Sequence, residues 1–123
     1  MIDDDSDPEK VRRLLFCSGK ICYELEEKKE ELERDDVAII RLEQLYPFPG
    51  KELKDILKKY KLAESHLWVQ EEPANAGPMP FMRWKFDMVP LQFISRRESP
   101  SPATGFYRQH MSEQKGLLKK AFA

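Results

Sequence analysis

Glu71 and Glu72 stand side by side before a proline, Arg96 and Arg97 form a basic doublet, His110 follows a proline-rich stretch, and Cys17 and Cys22 lie close together near the start. Two neighbouring carboxyls could divide acid and base roles if their surroundings split their pKa values. Adjacent residues of an extended backbone point to opposite faces, however, so one of the pair is expected to cap a helix or meet a basic side chain. Arg96-Arg97, with Arg83 and Lys85 upstream, form a basic patch able to grip a phosphate or carboxylate through forked hydrogen bonds. His110 has the chemistry of a general base, but no nucleophile is identifiable beside it, which favours a capping or surface role. No third cysteine exists, and His66 and His110 are distant in sequence, so zinc-ligand spacings fail. Cys17 and Cys22 are therefore expected to be buried, reduced thiols that pack as small hydrophobes.

Ser18-Gly19-Lys20 falls between a strand pattern and a helix pattern, where free amides attract anions. Without a G-x-x-x-x-G-K-[ST] or G-x-G-x-x-G loop, phosphate cradling is unsupported, and the tripeptide reads as a tight turn with Ser18 as the helix cap. Trp68 and Trp84 read as core and interface. The interleaved basic residues of a single-strand nucleic-acid binder are missing around them. No catalytic residue is assigned.

The elements that must position these groups follow from periodicity. Residues 1–10 hold four aspartates, a proline and no periodic apolar pattern, and read as a linker, with the domain occupying 11–123. Val11 to Cys17 is a short apolar run closed by a turn, as in a buried strand. Ile21, Leu25 and Leu32 recur near helical spacing in a Glu- and Lys-rich segment, giving a helix with one apolar stripe. Val37 to Leu42 repeats the strand signal before Pro47, Pro49 and Gly50. Leu53, Ile56, Leu57 and Tyr60 then mark the clearest helix. His66 to Gln70 and Leu91 to Ile94 predict further strands, separated by a loop over 73–80 and one or two helical turns over Phe81 to Phe86. Met111, Gln114, Leu118 and Phe122 predict a closing helix with Ser112 at its N-cap. Strands alternating with helices imply an α/β three-layer sandwich around a mainly parallel sheet. Ligands of such folds bind at the carboxyl ends of the strands, here the loops Ser18–Lys20, Glu43–Gly50, Gln70–Pro80 and Arg96–Gly105.

Composition narrows the class. The 123 residues make one domain and leave too little for a second core. Lysine and arginine number 21 against 22 acidic residues, for a net charge of -1, which argues against a phosphate-driven nucleic-acid binder. A hydrophobic content of 41% argues against disorder despite a mean hydropathy of -0.66. No apolar stretch approaches the roughly 18 residues that span a bilayer, so no membrane partner is expected. The acidic start is unlike a signal peptide, and a cytoplasmic location is expected.

Four blocks carry a resemblance: Leu15-Phe16-Cys17-Ser18-Gly19-Lys20, Arg41 through Pro49, Trp68-Val69-Gln70-Glu71-Glu72-Pro73-Ala74-Asn75, and Ser99 through Gly105 with His110 and Gln114. In order and spacing they resemble the C-terminal, transketolase-like domain of the first, decarboxylating component of 2-oxoglutarate dehydrogenase. The resemblance implies a homodimeric, bacterial parent that decarboxylates 2-oxoglutarate and passes the succinyl group to the lipoyl arm of the dihydrolipoyl succinyltransferase, in the tricarboxylic acid cycle. It implies that thiamine diphosphate and Mg²⁺ are held by preceding domains, that none of the family's catalytic residues maps here, and that the fragment alone is inactive. It also implies, from actinobacterial members, an acetyl-CoA effector site whose matching positions are Gln44 and Lys51. Lys51 stands where those members have arginine, losing the fork geometry, and Glu52 reverses a second positive charge, so weak or absent acyl-CoA binding is expected. Two other readings remain: a freestanding anion or nucleotide-binding module using Lys20, Lys51 and Arg96-Arg97, and the equivalent domain of another thiamine-dependent dehydrogenase or transketolase.

Overall fold

A computed structural model describes residues 1–96 and 106–123, with side chains of the last segment from His110 onward. The elements run β1 (Ile2–Asp3), β2 (Arg13–Cys17), α1 (Ile21–Leu32), β3 (Val37–Arg41), α2 (Gly50–Lys59), β4 (Ser65–Pro73), α3 (Met79–Lys85), β5 (Gln92–Arg96) and α4 (Phe106–Ala121). The five strands form one sheet in the order β1-β3-β2-β4-β5. All neighbours pair in parallel except β1, which runs antiparallel to β3. The mainly parallel α/β sandwich expected from the alternation is the fold observed.

Period-two alternation sorts the strand residues between two cores. Leu14, Phe16, Ala38, Ile40 and Trp68 face one way, onto Leu53 and Tyr60 at the α2 end and Met79 and Met82 of α3. Leu15, Cys17, Val37, Ile39, Leu67 and Val69 face the other way, onto Ile21 and Leu25 of α1 and Leu117 and Ala121 of α4. Burial on both faces explains why these strands read as continuous apolar runs.

Three sequence expectations change. Residues 1–10 read as a linker, yet Ile2–Asp3 form an edge strand whose Ile2 pairs with Arg41 and Asp3 with Ile40. The aspartates do the docking: Asp4 Oδ2 accepts from Lys29 Nζ at 2.7 Å and from the Ile39 amide at 3.0 Å. Ser18 does not cap α1. Lys20 is the residue before the helix and no side chain caps it, while the Cys22 and Tyr23 amides donate to the Gly19 and Lys20 carbonyls. Ser112 lies inside α4, which begins six residues earlier, and is therefore no N-cap.

Parallel strands put their carboxyl ends on one edge. The order β3-β2-β4-β5 reverses direction between β2 and β4, since β2 connects outward to β3 and β4 connects the other way to β5. That reversal is where an open α/β sheet leaves a crevice for ligands.

Candidate functional site

At the strand ends the chain's own polar side chains meet one another. Gln114, buried on α4, is the hub. Its Oε1 accepts from Arg96 Nη2 at the end of β5, while its Nε2 donates to Glu24 Oε2 on α1 and to Glu71 Oε1 on β4 at 3.1 Å. One amide thus turns its oxygen to a cation and its nitrogen to two carboxylates, joining four elements. Arg96 also donates from Nη1 to His110 Nδ1 at 2.6 Å. Arg96 Nη2 lies 3.4 Å from His110 Nε2, so both ring nitrogens face the guanidinium. Glu113 Oε2 lies 3.9 Å from the same Nη1.

A second buried polar device shapes the loop after β4. Trp68 Nε1 donates to Gln70 Oε1 at 3.0 Å, and Gln70 Nε2 faces the carbonyls of Glu72, Pro73 and Ala76 at 2.9–3.1 Å. The β4–β5 register shifts between Val69 and Pro73, so this short stretch leaves the ladder and the Gln70 amide takes over its carbonyls. Gly77 closes the loop at φ 63°, and a Cβ there would run into the Glu72 carboxylate.

The sequence candidates separate accordingly. Glu71 and Glu72 do diverge, one toward Gln114 and the other toward Gly77, so they form no catalytic pair. His110 is engaged by Arg96, in line with a structural role. Arg96 is bonded inside the protein, while Arg97 and the Ser99–Gly105 stretch lie outside the described residues. Arg83 and Lys85 do not join it: Arg83 lies over the Phe93 ring at 5.0 Å and Lys85 over Trp84 at 4.1 Å. Trp68 is core, as expected, and Trp84 is exposed. Cys17 and Cys22 are fully buried, but they are joined as a disulfide, which corrects the expectation of reduced thiols. The turn at Gly19, with φ 78°, brings the end of β2 and the first turn of α1 close enough to bridge.

Gln44 and Lys51 do come together. With Met1, Phe48, Gly50 and Glu52 they line a cavity of about 330 Å³ at the start of α2. Pro49 precedes that helix and no side chain caps it, while the Gly50 amide donates to the Phe48 carbonyl at 2.9 Å. Gln44 spends its Nε2 on the Tyr46 carbonyl at 2.9 Å, which fixes the loop through the cis Tyr46–Pro47 bond. Lys51 is exposed, and Glu52 beside it sets a negative charge where an anion would sit.

No group of three or more His, Cys, Asp or Glu side chains among the described residues is placed to hold a metal ion. Nor is any helix among them long and apolar enough to cross a membrane.

The model of the 2-oxoglutarate dehydrogenase C-terminal family matches residues 1–122. The chain belongs to that family. It is 46% identical to the multifunctional 2-oxoglutarate metabolism enzyme of Mycobacterium sp. (strain KMS), over 98% of this chain and 10% of that protein. It is 44% identical to the 2-oxoglutarate dehydrogenase E1 component of Cupriavidus necator, over 93% of this chain and 12% of that protein. The 2-oxoadipate dehydrogenase complex component E1 of Homo sapiens is 40% identical, over 98% of this chain and 14% of that protein. The chain thus spans between a tenth and a seventh of these relatives, as a C-terminal part of each. The strand-end residues that this family's fold could have offered to a ligand are those sequence reasoning missed as a unit. Gln114 was visible as one position of a motif, but its partners lie 18, 43 and 90 residues away.

Proposed function

We propose that this chain is the last domain of a 2-oxoglutarate dehydrogenase first component, where it serves as a non-catalytic structural and subunit-contact domain. The observation that carries this reading is the Gln114 hub. At the strand ends, where an open α/β sheet would bind a substrate, Arg96, Glu24, Glu71 and Gln114 are hydrogen-bonded to one another. In this reading the full polypeptide is a cytoplasmic homodimer that decarboxylates 2-oxoglutarate and hands the succinyl group to the lipoyl arm of a succinyltransferase. In the same reading thiamine diphosphate and Mg²⁺ are held by the preceding domains, and no step is routed through this one. Relatives named for 2-oxoglutarate and for 2-oxoadipate align with it at 46% and 40% identity, as suits a domain that does not select the oxo acid.

The test compares 2-oxoglutarate decarboxylation by the 123-residue chain and by the longer polypeptide, each with thiamine diphosphate and Mg²⁺. Turnover is expected from the second alone, and turnover by the short chain would overturn the reading.

The cavity at Gln44 and Lys51 favours one further statement, about an effector. A single exposed lysine opposed by Glu52 is a poor phosphate clamp, so acetyl-CoA binding is weak or absent. Calorimetry on the longer polypeptide is expected to show no micromolar binding. Micromolar affinity would overturn it.

A further inference from the structure

We infer that the aromatic face made by Phe48, Phe81 and Trp84 is the seat of the domain that precedes this one in the same polypeptide. The inference rests on the terminal-domain reading above and names the surface through which it acts. The three rings form a row. The Phe48 and Phe81 centroids are 6.1 Å apart at 65°, and those of Phe81 and Trp84 are 6.2 Å apart at 78°, both edge-to-face arrangements that hold the rings rigid. Exposure grows outward along it. Phe48 packs against the buried core cluster, Phe81 is half-buried, and Trp84 is 72% exposed. A tryptophan pinned at the end of such a row loses little further freedom on contact, and aromatic and cationic side chains are the types that dominate interface energies. Helix α3 has no acidic residue and carries Arg83 and Lys85, with Lys85 Nζ 4.1 Å from the Trp84 ring centroid. The face is therefore aromatic with a cationic flank.

Its occupant is set by how the longer relatives are built. This chain aligns with their C-terminal part, so in them the preceding polypeptide reaches this domain through the segment that holds Met1. Met1 and Phe48 line the same 330 Å³ cavity, so that polypeptide arrives at the inner end of the aromatic row. A domain tethered there meets the face at high effective concentration, and the contact needs no strong intrinsic affinity.

The experiment is hydroxyl-radical footprinting of Trp84, read by mass spectrometry, on the longer polypeptide and on the 123-residue chain. Trp84 is expected to oxidise several-fold more slowly in the longer polypeptide, at every protein concentration. Equal oxidation in the two would overturn the inference. Protection that disappears when the longer polypeptide is dissociated into folded monomers would also overturn it, in favour of a second copy on this face. Trp84→Lys in the longer polypeptide is expected to raise proteolysis at the junction before Met1, since an exposed ring can be replaced without disturbing the core. Unchanged cleavage would count against the inference. Turnover of 2-oxoglutarate by the longer polypeptide reports separately on the terminal-domain reading. Turnover with an unprotected Trp84 removes the surface and keeps that reading. A cellular product of 14.5 kDa removes both.

Discussion

The Tyr60 hydroxyl donates to Asp3 Oδ1 at 2.6 Å, tying the end of α2 to an edge strand 57 residues earlier in the chain. Asp3 Oδ2 accepts from Lys59 Nζ, and Asp5 Oδ1 accepts from it at 2.9 Å. Asp3 is thus the residue on which the N-terminal strand is fastened. Asp3→Ala removes an acceptor shared by a buried phenol and an ammonium, and should lower stability by about 1.5–3 kcal/mol, the range for hydrogen bonds to charged groups. Urea unfolding would show it. Hydrogen exchange should show the loss of protection concentrated at the Asp4 and Ile39 amides, since Asp4 N donates to the Ile39 carbonyl.

The same cluster makes the domain sensitive to alkali. Hydrogen bonds donated to Asp3 and then Asp5 hold the Lys59 ammonium above its ordinary 10.5. Burial, and then the bond to Asp3, holds the Tyr60 phenol above its ordinary 10.0. In the unfolded chain both groups lose their protons first, so the folded state binds more protons over this range. Stability is fully present below about pH 10 and falls as pH rises past it. Tyr60→Phe should shallow that fall in denaturation midpoints between pH 9 and pH 11, a range chosen around the ordinary phenol value of about 10. An unchanged slope would show that the phenol does not carry it.

Gln114→Leu fits the space yet strips Glu24 and Glu71 of a donor and Arg96 of an acceptor. A loss of about 1–3 kcal/mol is expected for polar groups left unsatisfied. Gln114→Glu is the sharper test. It sets a third carboxylate against two, which keeps one proton bound to higher pH. Its deficit relative to the parent chain should therefore shrink as pH falls toward 5, where a protonated carboxyl again donates. A deficit independent of pH would show that the amide nitrogen is not the working donor.

Local pattern and long-range partnership were legible to very different degrees. Leu53 and Tyr60 are buried where the α2 periodicity places them, and the apolar runs at Arg13–Cys17 and Val37–Arg41 are adjacent parallel strands. Both are decided by which side of a short element is apolar. β1 escaped because two residues carry no period, and its docking depends on Lys29, Lys59 and Tyr60, at separations of 25, 56 and 57. The closing helix was found from Met111, Gln114, Leu118 and Phe122, but its start was misplaced because Ser112 has the chemistry of a cap without being at the end. Glu71 and Glu72 were correctly parted by strand geometry, whereas the glutamine that receives one of them is an ordinary residue until α4 packs beside β4.

His66 sits half-buried on β4, in register with Leu14, and burial alone pushes its pKa below the ordinary 6.5. The unfolded chain takes up that proton first as pH falls. Stability should hold above about pH 7 and decline as pH drops through 6.5 toward the lowered folded value. His66→Gln removes the titrating group and should flatten midpoints measured between about pH 7.5 and pH 5.5, the interval that brackets an ordinary imidazole. A decline of equal steepness in the variant would assign it to other groups.

The Cys17–Cys22 bridge closes a short loop, its ends five positions apart in sequence, across the turn that joins β2 to α1. Chain-entropy arguments give a loop of that size about 2 kcal/mol of stabilisation, and both cysteines belong to the buried cluster that holds Ile21 and Leu25, where reduced thiols also pack as small hydrophobes. Reduction with dithiothreitol is therefore expected to lower the urea midpoint by an amount equivalent to about 2 kcal/mol while leaving the far-ultraviolet circular dichroism unchanged. Cys17→Ala with Cys22→Ala should lose this response to reductant and lose somewhat more stability, since it also removes two buried sulfurs. Mass spectrometry after alkylation under denaturing conditions reads the bond directly. Two alkylated cysteines in protein prepared without reductant, or the same midpoint before and after dithiothreitol, would show that the bridge does not form in solution.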